Sequence, residues 1–434
     1  MQIKIEHIAK IEGHAGMIAD IAQGQVEQVR IDVMEGARLL EGILRDRNIY
    51  EVSQITARVC GVCPVVHTFA SLKALEKALE IEISPETLLL RKLMMMGQII
   101  NSHSLHLFFF SLADFFGIKS DLTLIKKYPD RAKDALVVRE YGNQLVEYIG
   151  GRSIHPITPT IGGFHKLPDK EKLQKLLTQS SQALKSVKNL AELFARLKPP
   201  KFIRSAPFVG LTTPKEYAFY DGLVKTPSER KVLPADFMNE IDEFQIALNP
   251  VTKRSKHRGK TFMVGALARL NHNRQQLNPL AKKYLKAAGI HFPNFNPFNN
   301  ILAQAVEMVH CVEESQKLLK EVLRKTLDKN DVRQQEKIVQ GRLAKLKEGT
   351  AKGSAAVEAP RGTLYYFYEI GGDGRVKNCN IITPTSQNLA RLEEDIAEFL
   401  PVLIGQTAIS DEDRKDKIKM LVRAYDPCLT CATH

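Results

Sequence analysis

The chain has 434 residues, enough for a large buried core, and its 44% hydrophobic and 26% charged residues are ordinary for a globular protein. The net charge of +13 is compatible with an acidic partner, but the basic residues are spread along helical stretches and no zinc-finger or basic-leucine-zipper pattern occurs, so we expect no nucleic-acid partner. Six cysteines argue against a disulfide scaffold, and the chain has neither an apolar leader nor an uninterrupted apolar run long enough to span a membrane.

The first predicted elements are β-strands. Apolar and polar residues alternate through residues 1–34, which predicts a small antiparallel sheet within residues 1–36. From Ala37 onward the apolar spacing is helical, and Ser84-Pro85 is typical of a helix start. A helical block over 37–200 is predicted to contain helices at 38–48, 64–80, 85–116, 130–149 and 167–197.

The rest of the chain mixes loops, strands and helices. Glycines and prolines predict a loop over 148–166, and residues 201–297 have a mixed loop, strand and helix pattern. The last block, 298–434, is predicted to contain one very long helix or an antiparallel pair over 301–347, strands and turns over 358–382, and helices at 386–403 and 410–424. The predicted fold class is α+β, mainly α, with a long-helix bundle as the core and small peripheral antiparallel β-sheets.

Four of the six cysteines form two Cys-x-x-Cys pairs at opposite ends of the chain, Cys60/Cys63 and Cys428/Cys431. Thiolates are soft ligands that select zinc, copper(I), iron–sulfur clusters, nickel or low-spin iron. Zinc ribbons use short ligand loops, but the spacing alone leaves a structural zinc site, a four-cysteine iron–sulfur cluster and a nickel or bimetallic site open. Because both pairs must meet in space, we expect one intertwined unit over residues 1–434 rather than separable domains.

The flanks of the two pairs narrow these options. Arg58-x-Cys60-Gly61-x-Cys63-x-x-x-His67 and Asp426-Pro427-Cys428-x-x-Cys431-x-x-His434 resemble the two signature motifs of the large subunit of nickel–iron hydrogenases. Four further segments resemble motifs of that family: Lys10-Ile11-Glu12-Gly13-His14, Arg38-Leu39-Leu40-Glu41, Glu358-Ala359-Pro360-Arg361-Gly362 and Pro384-Thr385-Ser386-Gln387-Asn388. The resemblance spans almost the whole chain and implies the large-subunit fold and reversible heterolytic cleavage of H2.

The subgroup follows from two further segments. Residues 150–156 with 162–166, and Ser386-Gln387, resemble the soluble multimeric hydrogenases that exchange electrons with NAD(P) or a deazaflavin, including the sulfhydrogenases. This resemblance implies a cytoplasmic enzyme. It also implies partners, because the chain has no spare cysteine cluster and no Gly-x-Gly-x-x-Gly motif after a strand. We therefore expect an iron–sulfur small subunit and further diaphorase-type subunits that carry the flavin and the nicotinamide chemistry.

The resemblance assigns the thiolates and the acid–base residues. Cys60 and Cys428 are expected as terminal ligands of nickel, and Cys63 and Cys431 as bridges to an iron that carries CO and cyanide. Cys428 is also the expected first proton acceptor. Glu12 is the expected relay carboxylate beside it, the alternative being a glutamate on a surface strand.

Outer residues around the metals follow by the same resemblance. Arg361 and Asp114 are expected over the open nickel–iron position, although Asp114 also fits a helix-terminal charge. His67 is expected to reach a bridging sulfur, the alternative being a buried structural histidine. Four residues of the late motifs complete the expectation, with Ala359 and Pro360 lining the dry wall around the diatomic ligands, and Thr385 and Ser386 either hydrogen-bonding a cyanide or capping the next helix.

A second metal, magnesium, is implied near the C-terminus. Its expected ligands are Glu41, His434 and the carbonyl of Ile381. The family's precursor is cleaved after the histidine, so the end at His434 resembles the processed form. Cys311 and Cys379 have no motif partner and are expected as buried small hydrophobes.

Two readings from other classes remain open at this point. One is a metal-free relative of the complex I quinone-reductase subunit, against which the four intact cysteines argue. The other is a zinc-stabilised scaffold without enzymatic activity. Metal content distinguishes nickel with iron, no metal, and zinc.

Overall fold

The computed structural model describes residues 2–22, 25–325, 327, 331–347 and 349–433, with the backbone alone for 331–334. The strands are β1 Gln2–Ile5, β2 Ala15–Ala22, β3 Gln25–Val33, β4 Pro159–Thr160, β5 Gly163–Phe164, β6 Gly210–Thr212, β7 Leu223–Lys225, β8 Lys231–Val232, β9 Ile241–Ile246, β10 Asn249–His257, β11 Thr350–Ala359, β12 Gly362–Gly371 and β13 Val376–Ile382. The helices are α1 Leu40–Leu44, α2 Ile49–Thr56, α3 Pro64–Ala78, α4 Pro85–Ser104, α5 Leu112–Phe115, α6 Asp121–Lys127, α7 Pro129–Gly150, α8 Lys170–Ala195, α9 Pro234–Asn239, α10 Ala266–Asn273, α11 Pro279–Ala287, α12 Asn300–Arg324, α13 Asp331–Leu346, α14 Pro384–Ile404, α15 Asp411–Ala424 and α16 Leu429–Ala432.

Long helices form the centre of the molecule. Helix α4 packs against α7 and α12, and α8 packs against both of these. The α4–α7 crossing depends on two glycines, because a Cβ on Gly97 would lie 2.7 Å from the Gly142 carbonyl oxygen and one on Gly142 would lie 2.8 Å from the Asn101 nitrogen. The predicted long-helix bundle is confirmed, and no helix in the described part of the chain is long and apolar enough to cross a membrane.

The predicted helix boundaries need two corrections. The predicted helix 38–48 is two helices, since α1 ends at Leu44 and α2 begins at Ile49. The predicted helix 85–116 is one helical path whose middle, Leu105–Ser111, is a π-helical turn. For the segment 301–347, where one long helix or a pair was predicted, the structure has two helices, α12 and α13.

The predicted N-terminal sheet is confirmed as β1-β2-β3, in which all neighbours are antiparallel. A second antiparallel sheet, β11-β12-β13, is buried more deeply than the prediction of peripheral sheets implied, with nearly all of β12 buried. It packs on α3, where a Cβ on Gly353 would come within 2.3 Å of the Ala74 carbonyl oxygen. Strands β11 and β12 are joined by a two-residue turn, Pro360-Arg361, since Ala359 pairs with Gly362.

Candidate metal centre

The first cysteine pair lies at the start of a buried helix. Cys60 follows a short 3₁₀ turn, and Pro64 begins α3 directly after Cys63. The backbone N–H groups of Val62 and Cys63 point at the Cys60 Sγ, at 3.2 and 3.4 Å. This local turn directs both cysteine side chains of the pair toward the same point.

The second pair reaches that point because the two ends of the chain are joined. Glu12 and Cys428 form an isolated parallel β-bridge, and the Leu429 N–H donates to the Glu12 carbonyl at 3.0 Å. The short helix α16 then carries Cys431. Gly13 allows this approach, since its φ is +84° and a Cβ there would lie 2.9 Å from the Cβ of Leu429.

The four sulfur atoms converge within 4.8 Å of one another. Neighbouring Sγ atoms are 3.4 Å apart for Cys60–Cys428, 3.4 Å for Cys63–Cys431 and 3.0 Å for Cys428–Cys431. These separations are far longer than a disulfide bond of about 2.05 Å, and all four side chains are buried. Four free buried thiols aimed at one point form a binding site for a soft metal.

The thiols influence one another's ionisation. The hydrogen bond from Cys428 is the main reason that the pKa of Cys60 lies well below its usual value. Burial raises the pKa of Cys428 and of Cys431 well above the usual range. A cation is therefore needed to hold all four as thiolates, and binding it must release protons.

A carboxylate touches this cluster directly. The Cys428 thiol lies 3.0 Å from Glu12 Oε2, and the same carboxylate accepts from the Thr430 N–H at 3.1 Å and from the Thr430 hydroxyl at 2.6 Å. Glu12 is thus fixed at the sulfur rather than free on a surface strand. Thr430, which the sequence interpretation did not single out, lies inside the second cysteine pair.

A histidine contacts the opposite side of the cluster. His67 lies on α3, with Nε2 3.4 Å from the Cys431 Sγ and Nδ1 2.8 Å from the Tyr366 hydroxyl. Both rings are buried. Tyr366 was missed by the sequence interpretation, because its pairing with His67 depends on β12 packing against α3.

The arginine of the β11–β12 turn has Asp426 as its carboxylate partner. Arg361 donates from Nη2 to Asp426 Oδ1 at 3.0 Å, from Nε to the Asp426 carbonyl at 3.1 Å and from Nη1 to Ser102 Oγ at 3.1 Å. Asp114 instead pairs with Arg423, at 2.6 Å, beside a surface cavity. Burial raises the pKa of Asp114, and Arg423 only partly offsets this. The structure therefore does not bring Asp114 to Arg361, and Asp426 takes that place.

Asp426 is itself held by buried side chains. Gln304 donates to its Oδ2 at 3.0 Å, and His106 Nδ1 lies 2.5 Å from Gln304 Oε1. His106 Nε2 is also 2.8 Å from the Arg423 carbonyl. His106 belongs to the π-helical turn, an irregularity that often marks functional sites, and it reaches Asp426 through Gln304.

The late motifs surround the cluster at short range. Thr385 Oγ1 accepts from the Cys428 N–H at 3.0 Å, whereas Ser386 donates to the Thr383 carbonyl at 2.8 Å within the first turn of α14. Thr385 therefore contacts the second cysteine pair, and Ser386 makes the local bond expected of a helix-start residue. Ala359 is buried, and its carbonyl accepts from Arg269.

The proposed second metal site is described only in part. Helix α1, which carries Glu41, packs on β13, which carries Ile381. Lys253 Nζ lies 3.4 Å from Glu41 Oε1, and the Cys379 thiol donates to the Glu41 carbonyl at 3.3 Å. His434 lies outside the described residues, so its role as a magnesium ligand remains a prediction. Cys311 and Cys379 are both buried, as expected.

The chain is similar to known proteins over most of its length. A family model described as nickel-dependent hydrogenase matches residues 38–135 and 215–434. Sulfhydrogenase 1 subunit alpha of Pyrococcus furiosus is 32% identical over 439 residues, covering 100% of this chain and 98% of the relative. The beta subunit of the NAD-reducing hydrogenase HoxS of Cupriavidus necator is 23% identical over 475 residues, covering 100% of this chain and 94% of the relative.

The fold has solved counterparts. The crystal structure of an NAD⁺-reducing NiFe hydrogenase in the H2-reduced state is similar with a TM-score of 0.85 and 24% identity, covering 100% of this chain and 99% of that one. At this identity the likeness concerns the fold alone. It confirms the predicted fold class, a long-helix bundle with small antiparallel sheets.

Proposed function

Because this chain belongs to the nickel-dependent hydrogenase family, we infer that it is the catalytic subunit of a nickel–iron hydrogenase and cleaves H2 reversibly into protons and electrons. The observation that carries this function is the convergence of four buried thiols within 4.8 Å, with a carboxylate 3.0 Å from one of them. These residues fit a nickel–iron centre, since soft thiolates suit nickel and low-spin iron.

We propose that Cys60, Cys63, Cys428 and Cys431 hold the nickel and the iron. Cys60 and Cys428 would hold nickel alone, and Cys63 and Cys431 would hold both metals. When bound, the group supplies the site at which H2 is polarised and split. His67, oriented by its contact with Tyr366, stands beside the Cys431 sulfur and supports its ligand geometry.

Proton transfer is assigned to two residues of this chain. The Cys428 sulfur receives the proton, and Glu12 removes it over the 3.0 Å that separates Sγ from Oε2. The N–H and the hydroxyl of Thr430 both donate to the Glu12 carboxylate and hold it in this position. Glu12 is therefore already oriented for proton transfer before the reaction begins. The parallel β-bridge between residues 12 and 428 also holds the two backbones side by side, so the Glu12 carboxylate and the Cys428 sulfur stay close together.

Arg361 is assigned as the fixed cation over the cluster. Its guanidinium is buried and bound to Asp426 and Ser102. Burial alone would lower the pKa of Arg361, but the charge of Asp426, and then those of the nearby cysteines, raise it well above its usual value. A cation held in this way stabilises negative charge that develops during cleavage without reorganising. Asp114, which pairs with Arg423, is left out of this role.

The diatomic ligands and the second metal are further parts of the proposal. CO and cyanide on the iron would be enclosed by Ala359 and Pro360, with Thr385 as a hydrogen-bond donor, whereas Ser386 donates to the Thr383 carbonyl at the start of α14. Magnesium would be held by Glu41, the Ile381 carbonyl and His434, and it would tie the C-terminal segment to β13. Support comes from the packing of α1 on β13 and from the matching family motifs.

Electron transfer is assigned to partner subunits. The relatives are named as an alpha and a beta subunit, of a sulfhydrogenase and of an NAD-reducing hydrogenase respectively. We propose an iron–sulfur small subunit and diaphorase-type subunits that deliver the electrons to NAD(P). Since both ends of the chain contribute thiols, we also propose that the chain acts as one intertwined catalytic unit.

The experiment is elemental analysis combined with an activity assay on the purified complex. We expect nickel in the complex, with iron in excess of nickel because the iron–sulfur partner contributes its own iron, and reduction of both a viologen dye and NAD(P)⁺ under H2. Zinc in place of nickel would identify a scaffold, and absence of nickel with quinone reduction would identify a complex I-type subunit. Viologen reduction without NAD(P)⁺ reduction would support the proposed hydrogenase activity but refute NAD(P) as the electron acceptor.

A further inference from the structure

A fully buried arginine lies directly behind the Pro360-Arg361 turn. Arg269 is on α10, and all five of its N–H groups have acceptors. Three go to carboxylates, from Nε and Nη2 to Glu307 at 2.6 and 2.7 Å and from Nη1 to Glu358 at 2.9 Å. The other two go to the carbonyl oxygens of Ala359 at 2.8 Å and Pro360 at 3.0 Å.

The two carboxylates are equally well held. Glu358 also accepts from the Leu211 N–H at 2.7 Å and from the Thr363 hydroxyl at 2.8 Å. Glu307 accepts from the Tyr217 hydroxyl at 2.6 Å and lies 2.8 Å from His103 Nε2. A buried polar network with this many satisfied members has one arrangement, because every displacement breaks hydrogen bonds that water cannot replace.

This arrangement fixes the turn that carries the cation over the thiols. The Ala359 and Pro360 carbonyls belong to the two peptide planes that precede Arg361, so holding both oxygens sets the direction in which the Arg361 side chain leaves the backbone. The residues just before α10 also approach the turn. A Cβ on Gly265 would lie 3.3 Å from the Arg361 carbonyl oxygen, and one on Gly362 would lie 2.3 Å from Val264.

We propose that Arg269 is a positioning residue, which acts on H2 cleavage only by holding the Pro360-Arg361 turn so that Arg361 lies over the cysteine cluster. The proposal rests on the function proposed above for Arg361. Arg269 contacts neither the cysteines nor Asp426 through any of its five donors, so its influence must pass through the turn. The chemistry of the acceptors explains the residue type, since a planar guanidinium can serve two carboxylates and two carbonyls at once.

The test is Arg269→Lys in the assembled, metal-loaded complex. Lysine keeps the charge between Glu307 and Glu358 but has three donors, so it cannot hold both carbonyls of the turn as well. We expect turnover to fall by about 10- to 100-fold, the scale that a misplacement of about 1 Å produces. Nickel and iron content should be unchanged, and a crystal structure of the variant should show Arg361 displaced from Asp426.

The matched control is Arg91→Lys. Arg91 is also fully buried, binds Glu76 with both Nη atoms and donates to the Thr160 carbonyl. It has no bond to the turn. We expect it to lower the melting temperature about as much as Arg269→Lys does, while turnover changes by less than about twofold. Equal loss of turnover in both variants would mean that Arg269 is only structural and would overturn the proposal.

A double-mutant cycle with Arg361→Lys separates the possible failures. If Arg269 acts through Arg361, adding Arg269→Lys to Arg361→Lys should cause little further loss of turnover. Independent, multiplied losses would refute the positioning role while leaving the role of Arg361 intact. Full turnover of Arg361→Lys alone would refute the proposed role of Arg361 itself. An unmoved Arg361 in the crystal structure of Arg269→Lys would also refute positioning.

Discussion

Replacing Glu12 by glutamine removes the proposed proton relay and changes little else. The amide has nearly the same shape, so it can still bond Thr430, whose hydroxyl reorients to accept from the new amide group. The backbone bridge that places residue 12 beside Cys428 does not use the side chain. Glutamine, however, cannot take a proton from the Cys428 sulfur 3.0 Å away.

The expected magnitudes of the two effects differ widely. Weakening one hydrogen bond at Glu12 costs about 1 kcal/mol of stability, and the fold remains intact. Removing a positioned proton acceptor lowers the rate by about 10²- to 10⁴-fold, which corresponds to about 3–5 kcal/mol in the activation barrier. A loss of turnover in this range therefore exceeds anything that the small change in stability could cause.

The assay follows H2 evolution and the exchange of H2 with D2O, together with nickel and iron content. We expect both activities of Glu12→Gln to fall by at least about 100-fold while both metals stay at wild-type levels. Thr430→Val is the matched control, because it removes the hydroxyl donor at 2.6 Å but retains the carboxylate and the backbone donor. Turnover of Glu12→Gln near the wild-type value would refute the relay.

Three other outcomes follow from the same geometry. Cys431→Ser should lose nickel in elemental analysis while Cys311→Ser retains it, because only the sulfur of Cys431 belongs to the convergent cluster. Asp426→Asn should lower turnover about 10-fold or more at unchanged metal content, since a buried charged hydrogen bond to Arg361 is worth about 1.5–3 kcal/mol; unchanged turnover would contradict this. Burial alone would raise the pKa of Glu307, but its buried arginine partner lowers it to about 2, so its stabilising contribution is complete above its unfolded pKa near 4.5 and is lost as the pH falls toward 2. The melting temperature of Glu307→Gln should accordingly fall less than that of the wild type between about pH 5 and about pH 3, and parallel curves would contradict the assignment.

Much of the fold could be predicted from local patterns. The alternation in residues 1–34 predicted the N-terminal sheet, and Ser84-Pro85 predicted the start of α4, which the structure places at Pro85 with a Ser84 side-chain cap. The π-helical turn at 105–111 was missed because an apolar helix and a π-helix have the same broad pattern. The division of 301–347 was left open, although the Asp-Lys-Asn-Asp run at 328–331 is a helix-start signal.

The sequence predicted those residues of the site that lie in the family's short motifs. The four cysteines, Glu12 and His67 lie in short segments that resemble a family, and the structure brings them together. The partner of Arg361 was harder to predict, because the sequence analysis placed Asp114 near it and gave Asp426 no role beyond its motif. Asp114 instead pairs with Arg423. Sequence alone does not state which of the two aspartates folds against Arg361, whereas the structure selects Asp426.

Arg269 could not be found in this way. Its acceptors come from residues 307 and 358–360, which belong to two distant elements, α12 and the β11–β12 hairpin. A single buried arginine in a helix has no periodic or motif signal that identifies its partners. Only the three-dimensional packing of α10 against the hairpin reveals them.

Infrared spectroscopy of the purified, metal-loaded complex tests the central claim most directly. We predict absorption bands of CO and cyanide bound to iron, in a sample that contains nickel, with iron in excess of nickel because the iron–sulfur partner contributes its own iron. The same bands should be lost in Cys431→Ser. A metal-replete wild-type sample without these bands would contradict the assignment of the four cysteines to a nickel–iron centre.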